Sequence, residues 1–330
     1  MNKLSIVLLL GVCVWLCSTR EPIKARPGSL PFLVYYRSRY RGLCAGFLVA
    51  RSVVLTAAVC ITSHLSMEHD LRPITVVVGT PYRHPRRGIR VQVTKILLPN
   101  LKSTIPGNQA YLMQMSVAVL LLKRQVPDVL MESPLQTLDV DWSGEEKITL
   151  NEECLIAGWH FFGANDIIYP VYNFKLQRNL RAQFMNVAKT SSWCEALLIK
   201  KQQVLTSMGY RAYLNPETYI CIKDPERTAQ PCHGMYGAPL VCRGRAVAML
   251  MAPDAQWTNC TGFSNIVHVF NSPFLKNFMS CVSSLFNPPI VNWAKMKRDL
   301  TNESQSDYYD YVSPIYDKMS WNSGTESDEE

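Results

Sequence analysis

The chain has 330 residues, of which 48% are hydrophobic and 18% are charged, and its formal net charge is +8. This length allows one or two domains with a sizeable core, and the composition excludes a wholly disordered chain. The 16 glycines and 20 prolines follow no fixed period, which excludes a collagen-like repeat.

The first 19 residues have the pattern of a secretion signal. Lys3 supplies the positive start, residues 4–16 form an apolar stretch, and the small residues 17–19 form a cleavage zone. A buried N-terminal strand is the alternative interpretation. The apolar stretch is shorter than the ~20 residues of a membrane span, and no later run is long enough. We therefore expect residues 1–19 to be a signal peptide and the chain to be secreted and extracellular.

Residues 20–285 are predicted to form one domain built mostly of β-strands. Short β-branched and aromatic runs occur between prolines and glycines, which is typical of a sandwich or barrel. The clearest runs span residues 32–36, 74–78, 89–98 and 117–122. The best helical pattern is Ser272–Leu285, where Pro273 can open a helix and apolar residues repeat with helical period.

Residues 286–330 are predicted to be a disordered acidic tail. Residues 299–330 contain nine acidic residues and one lysine, and they have few aliphatic side chains with which to fold alone. The tyrosines among these acids are candidates for sulfation. The tail either raises solubility only or suits a basic groove.

Asn259 and Asn302 each begin an Asn-X-Ser/Thr triplet and are candidate glycosylation sites in a secreted chain.

Four segments stand out along the chain, namely PGSLPF (27–32), the cysteine loop from Leu43 to Cys60 with its TAAVC end, CLIAGW (154–159) and CHGMYGAPLVC (232–242). In this order they resemble four segments of chymotrypsin-like serine proteases. The resemblance covers about residues 25–282. It implies an all-β fold with two six-stranded antiparallel barrels and a C-terminal helix.

The resemblance also implies a set of disulfides, which cysteine spacing alone leaves open. The implied pairs are Cys44–Cys60, Cys154–Cys242, Cys194–Cys221 and Cys232–Cys260. Cys281 is left over, either as a buried thiol or as a link to another chain.

The catalytic residues of the resembled family are replaced in this chain. The histidine position holds Val59, the aspartate position holds Ser116, and the nucleophile position holds Tyr236. Valine cannot accept a proton, and a phenol with a pKa near ~10 is a poor replacement for the serine. The aspartate that pairs with the new N-terminus of active members corresponds to Met235. We therefore predict an inactive homologue, a pseudoprotease with no catalytic residues.

No metal or cofactor is predicted. His64 and His69, beside Glu68 and Asp70, are the best metal candidate, but their spacing does not place both rings on one helical face. A solvated loop is favoured over a zinc site there. His233, close to Tyr236, suits a structural role better than a role in the old cleft.

Arginines are concentrated in two loops that lie side by side in the resembled fold. These are Arg37, Arg39, Arg41, Arg83, Arg86, Arg87 and Arg90. Together they are a candidate anion-binding exosite for sulfated or carboxylate-rich partners, and two ordinary solvated loops are the alternative.

The predicted function is binding rather than proteolysis. The chain would act as a regulator, scaffold or decoy for a protein partner or for an acidic or sulfated polymer, without nucleic-acid binding or a membrane span. The alternative is a serine endopeptidase with relocated or residual activity, and a third possibility is a structural extracellular protein. The oligomeric state stays open.

Overall fold

The computed structural model describes most of the chain between residues 22 and 301. The described ranges are 22–38, 42–61, 74–80, 88–100, 116–130, 133–159, 161–163, 180–207, 217–226, 229–231, 235–251, 264–273, 275–286 and 291–301. The predicted signal peptide, Asn259, Asn302 and the predicted Cys232–Cys260 pair lie outside these residues.

Six antiparallel strands close into a first barrel, preceded by the short strand β1 (Ile23–Lys24). The barrel strands are β2 (Leu33–Ser38), β3 (Gly42–Ala50), β4 (Val53–Ala57), β5 (Thr75–Val78), β6 (Ile89–Leu97) and β7 (Val117–Leu122). They join in the order β2-β3-β4-β7-β6-β5, and β5 pairs with β2 to complete the ring. Phe47, Leu55 and Leu120 are fully buried within this half of the core. All four strand runs predicted from the sequence are confirmed, because their β-branched and aromatic side chains fill this interior.

Short strands connect the first barrel to a second one. The hairpin β8 (Val129–Leu130) and β9 (Ser133–Pro134) is followed by β10 (Asp139–Val140). The remaining strands are β11 (Glu152–Gly158), β12 (Phe161–Gly163), β13 (Arg181–Ala188), β14 (Tyr219–Lys223), β15 (Ala229–Pro231), β16 (Pro239–Cys242), β17 (Arg245–Met249) and β18 (Ser264–Val269).

The second barrel is a closed ring of β11, β16, β17, β18, β14 and β13. β1 extends this sheet beside β13, β10 pairs in parallel with β17, and β12 pairs with β15 separately. The prediction of two six-stranded antiparallel barrels is therefore confirmed.

Three α-helices are described, α1 (Ser192–Ser207), α2 (Lys276–Val282) and α3 (Trp293–Thr301). The predicted C-terminal helix is confirmed as α2, followed by a 3₁₀ turn at Ser283–Leu285. It begins later than predicted because the Ser272 carbonyl first accepts a turn bond from the Leu275 N–H at 3.0 Å. α1 was not predicted from the sequence, although Ser191 caps its start by accepting a bond from the Cys194 N–H at 3.2 Å.

α3 corrects the predicted boundary of the tail. This helix lies inside the range 286–330 that the sequence assigned to a disordered segment, and its Met296 and Leu300 are buried. The Lys297 ammonium lies 2.6 Å from a Glu153 carboxylate oxygen on β11 and 5.2 Å from the centre of the Phe184 ring on β13. The prediction was wrong here because apolar residues three to four apart give α3 one face that packs on the second barrel.

Three of the implied disulfides are present, namely Cys44–Cys60, Cys154–Cys242 and Cys194–Cys221. Cys281 on α2 is unpaired and exposed, so the expectation of a buried thiol was wrong.

Among the described residues, no helix has both the length and the apolar character needed to cross a membrane.

Candidate functional site

Val59 and Ser116 lie side by side in the first barrel. Val59 follows the end of β4, and Ser116 immediately precedes β7. Because Ala57 pairs with Val117, the two chain segments continue past the strands together, and the Ala58 N–H donates to the Ser116 carbonyl at 2.8 Å. The β4–β7 pairing therefore brings these two predicted positions to one end of the barrel.

Tyr236 comes from the second barrel and meets the same region. Its carbonyl oxygen accepts a hydrogen bond from the Ala45 N–H at 2.8 Å and lies 3.9 Å from the Cys60 sulfur. Cys60 is the residue after Val59 and is bonded to Cys44 on β3. The structure thus places the segments that carry the three predicted positions at one junction of the two barrels.

Gly237 allows this close approach. Its φ is +90°, and a Cβ at this residue would lie 2.0 Å from the Ala45 carbonyl oxygen and 2.6 Å from Thr56 Oγ1. A Cβ contact below 3.0 Å requires neighbouring atoms to move, and an L side chain rarely adopts this φ. Only glycine fits here without displacing β3 from the second barrel.

The side chains at the junction are mostly apolar or neutral. Val59 is 1% exposed, Met235 is fully buried, and Tyr236 is 8% exposed. Ser116 is also buried, and its hydroxyl oxygen has no hydrogen-bond partner among the described residues. None of the side chains at positions 59, 116 and 236 is a base at neutral pH, so these three positions alone provide no proton acceptor.

A buried polar pair, which the sequence analysis missed, lies beneath the junction. Thr56 Oγ1 donates to the Ala45 carbonyl at 2.7 Å, so the Tyr36 hydroxyl donates to Thr56 Oγ1 over 3.0 Å. Burial raises the pKa of Tyr36, and the bond to Thr56 lowers it by less. Tyr36 is therefore neutral and structural. The single threonine in the otherwise apolar run of β4 was the sequence signal for this pair.

A second buried polar group, His268, lies on the side of the second barrel. Its Nδ1 is 3.3 Å from the Met251 sulfur, and its Nε2 is 3.0 Å from Ser272 Oγ. The ring also packs on Tyr219, with the ring centres 5.2 Å apart. Met251 belongs to the segment that follows β17. His268 thus links this segment to the turn that starts α2.

The remaining site predictions fall largely outside the described part of the chain. His64, His69 and His233 are not among the described residues, and the described ones contain no group of three His, Cys, Asp or Glu side chains suited to a metal. Arg37 lies in β2 opposite Leu43, and Arg90 is exposed in β6 opposite Val77. Arg39, Arg41, Arg83, Arg86 and Arg87 lie outside the described residues. The exosite therefore stays a prediction.

Comparison with known proteins identifies the family. Duodenase-1 from Bos taurus is 25% identical over 288 residues, an alignment that covers 79% of this chain and 95% of duodenase-1. Two solved structures share the fold. An inactivated protease paralogue from the scabies mite has a TM-score of 0.53 and 16% identity, with 81% of this chain and 98% of that chain covered. A mutant of human heparin binding protein has a TM-score of 0.53 and 18% identity, with 81% and 97% covered.

A family model described as Trypsin matches residues 22–271, which is more than half of the chain. The match takes in both barrels and the junction that carries positions 59, 116 and 236. The chain is therefore a member of the trypsin family of serine proteases and their homologues.

Proposed function

We propose that this chain is a secreted, noncatalytic member of the trypsin family that acts by binding a partner. The observation that carries the proposal is Val59. A hydrocarbon side chain, 1% exposed, lies where the family places the histidine that accepts the proton of the nucleophile. Loss of that base in a serine protease costs about 10⁶ in turnover, and the members of the triad act as one unit.

Two neighbouring positions support the same proposal. Ser116 stands at the aspartate position, and its neutral hydroxyl cannot stabilise a protonated imidazole as a carboxylate does. Met235 is fully buried at the position of the aspartate that receives the new N-terminal amine in active members. A thioether carries no charge with which to hold an ammonium group. Both changes remove electrostatic contacts that the family uses, in addition to the loss at residue 59.

The names of the two structural relatives offer precedents on this fold. One is called an inactivated protease paralogue and the other a heparin binding protein. A trypsin-type double barrel thus occurs both in a protein described as inactivated and in one described by what it binds. At these identities the likeness concerns the fold, and the function of this chain is inferred from its own residues.

The test is a search for serine-dependent chemistry in the purified chain. We expect no labelling by a fluorophosphonate probe and no cleavage of a broad peptide library, under conditions in which active trypsin shows both. Labelling at a single serine, together with turnover that is lost when that serine is mutated, would establish the alternative of relocated activity. Secretion is tested separately, by N-terminal sequencing of protein recovered from the culture medium. Retention of residues 1–19 would contradict that part.

A further inference from the structure

Four cations lie on the outer surface of the first barrel, where β6 meets the end of β7. Arg90 and Lys95 belong to β6, Lys123 and Arg124 directly follow β7, and all four are exposed. We call these four residues the basic track. Only Arg90 belongs to the exosite predicted from the sequence, so the other three cations are new candidates.

Hydrogen bonds to main-chain carbonyls of β6 bring the two cations after β7 close to the two cations on β6. The Lys123 N–H donates to the Gln92 carbonyl at 2.8 Å, and Arg124 Nη2 donates to the Arg90 carbonyl at 3.3 Å. The β6–β7 register shifts between Val93 and Lys95, so one extra residue is inserted in β6. This bulge turns Lys95 to the outer surface, although strict alternation from Arg90 would turn it inward.

The track is extended rather than compact. Four residues separate Arg90 from Lys95, and one of them is the extra residue of the bulge, so the distance along the strand is roughly 14 Å. On the neighbouring segment, Lys123 lies opposite the middle of the stretch from Arg90 to Lys95, and Arg124 lies beside Arg90. Several charges in a row match a ligand that carries repeated anionic groups better than a ligand with a single one.

Three of the four cations in the basic track carry charge that no described acidic side chain offsets. Lys95, Lys123 and Arg124 form no ion pair with any described residue, whereas Arg51 lies 2.9 Å from Asp128 and Arg243 lies 2.8 Å from Glu152. Cations on neighbouring positions of paired strands repel each other. A bound polyanion would relieve that repulsion and release counterions, as in other polyanion complexes.

The surroundings favour a polysaccharide over a folded protein. Protein interfaces are usually centred on buried aromatic or aliphatic anchors. The large apolar side chains that are exposed among the described residues, Val129, Leu150, Ile199 and Leu285, all belong to other segments. The side chains between the cations on β6 include the polar Gln92 and Thr94, both exposed. We infer that the basic track binds a linear sulfated polysaccharide, an inference that rests on the proposed binding function and names its ligand.

The experiment compares two triple variants with the same charge change. Lys95→Gln/Lys123→Gln/Arg124→Gln alters the track, and Lys189→Gln/Lys200→Gln/Lys276→Gln alters exposed lysines elsewhere. Heparin affinity is measured over a series of salt concentrations, after circular dichroism and thermal melting show that both variants are folded. At physiological salt we expect the track variant to bind about 100-fold more weakly. The slope of log K against log salt should fall by about two to three. The control variant should stay close to the parent.

Two results would overturn the inference. One is an equal loss of affinity in both variants, which would mean that heparin responds to net charge alone. The other is tighter, track-dependent binding of a synthetic peptide of residues 302–330, which would assign the track to an acidic protein segment. Neither result changes the outcome of the fluorophosphonate test, so failure of this inference is distinguishable from failure of the noncatalytic proposal.

Discussion

The close approach of the two barrels at Gly237 makes a sharp prediction for the variant Gly237→Ala. The added Cβ would lie 2.0 Å from the Ala45 carbonyl oxygen, which is part of β3 and cannot rotate away as a flexible side chain does. Overpacking of this kind costs about 1–3 kcal/mol. Alanine at a φ of +90° adds about 1–2 kcal/mol of backbone strain. We therefore expect the free energy of unfolding to fall by about 2–5 kcal/mol.

Gly244→Ala is the matched control. Gly244 has nearly the same φ, +89°, but its nearest neighbour would be Trp293 Cβ at 3.2 Å. The two variants thus share the backbone strain and the entropy effect of replacing glycine, and they differ in the contacts that the added Cβ makes. We expect Gly244→Ala to lose about 1–2 kcal/mol.

Urea denaturation followed by tryptophan fluorescence measures both free energies. A loss at Gly237 that is clearly larger than the loss at Gly244 supports a tight contact between the barrels. Equal losses would refute the reasoning, because they would show that β3 and the turn after Tyr236 separate at no cost. An unfolding midpoint for Gly237→Ala at or above that of the parent would refute it as well.

Three further predictions concern stability. Partial burial raises the pKa of Glu152, but hydrogen bonds from Arg243 and Thr149 lower it by more, so the folded-state pKa lies below its ordinary value of 4.5. Glu152→Gln should therefore destabilise the protein near neutral pH, and the difference in urea midpoint should shrink as the pH falls below 4.5 and through the lower folded-state pKa, unlike a pH-independent packing effect. Leu300→Ala should cost about 2–4 kcal/mol and speed hydrogen exchange in α3 first. Replacing the cysteine pair that joins β11 to β16, with a separation of 88 residues, should cost more than replacing the pair within the first barrel, with a separation of 16. Loop entropy gives about 4.6 against about 3 kcal/mol, and the reverse order of unfolding free energies would contradict it.

The strands of the first barrel could be predicted because their side chains show local signals. Runs such as Val117–Leu122 are β-branched or aliphatic throughout, and burial on the inside of a closed barrel rewards that composition. The tail boundary could not be predicted in the same way. The acidic composition of residues 299–330 was extended back to residue 286 without regard to the apolar face of α3, whose Met296 and Leu300 have meaning only against the surface that they cover.

The candidate site was partly accessible from the sequence. The residues at positions 59, 116 and 236 follow from the resemblance, but their meeting depends on bonds between distant segments, such as Ala45 to Tyr236. The basic track was harder to find for the same reason. Its members lie on β6 and directly after β7, and the bulge before Lys95 breaks the alternation that would reveal a shared face in the sequence.

The path of α3 has a practical consequence for handling the protein. The helix starts beside Gly244, passes over β11 and β13, and contacts β1, so the last described residue, Thr301, belongs to the second barrel. A biosensor surface or fluorescent fusion attached downstream of Thr301 would anchor the molecule through that barrel. Lys95 and Lys123 belong to the other barrel, so an attachment at this end uses none of the strands that carry the basic track.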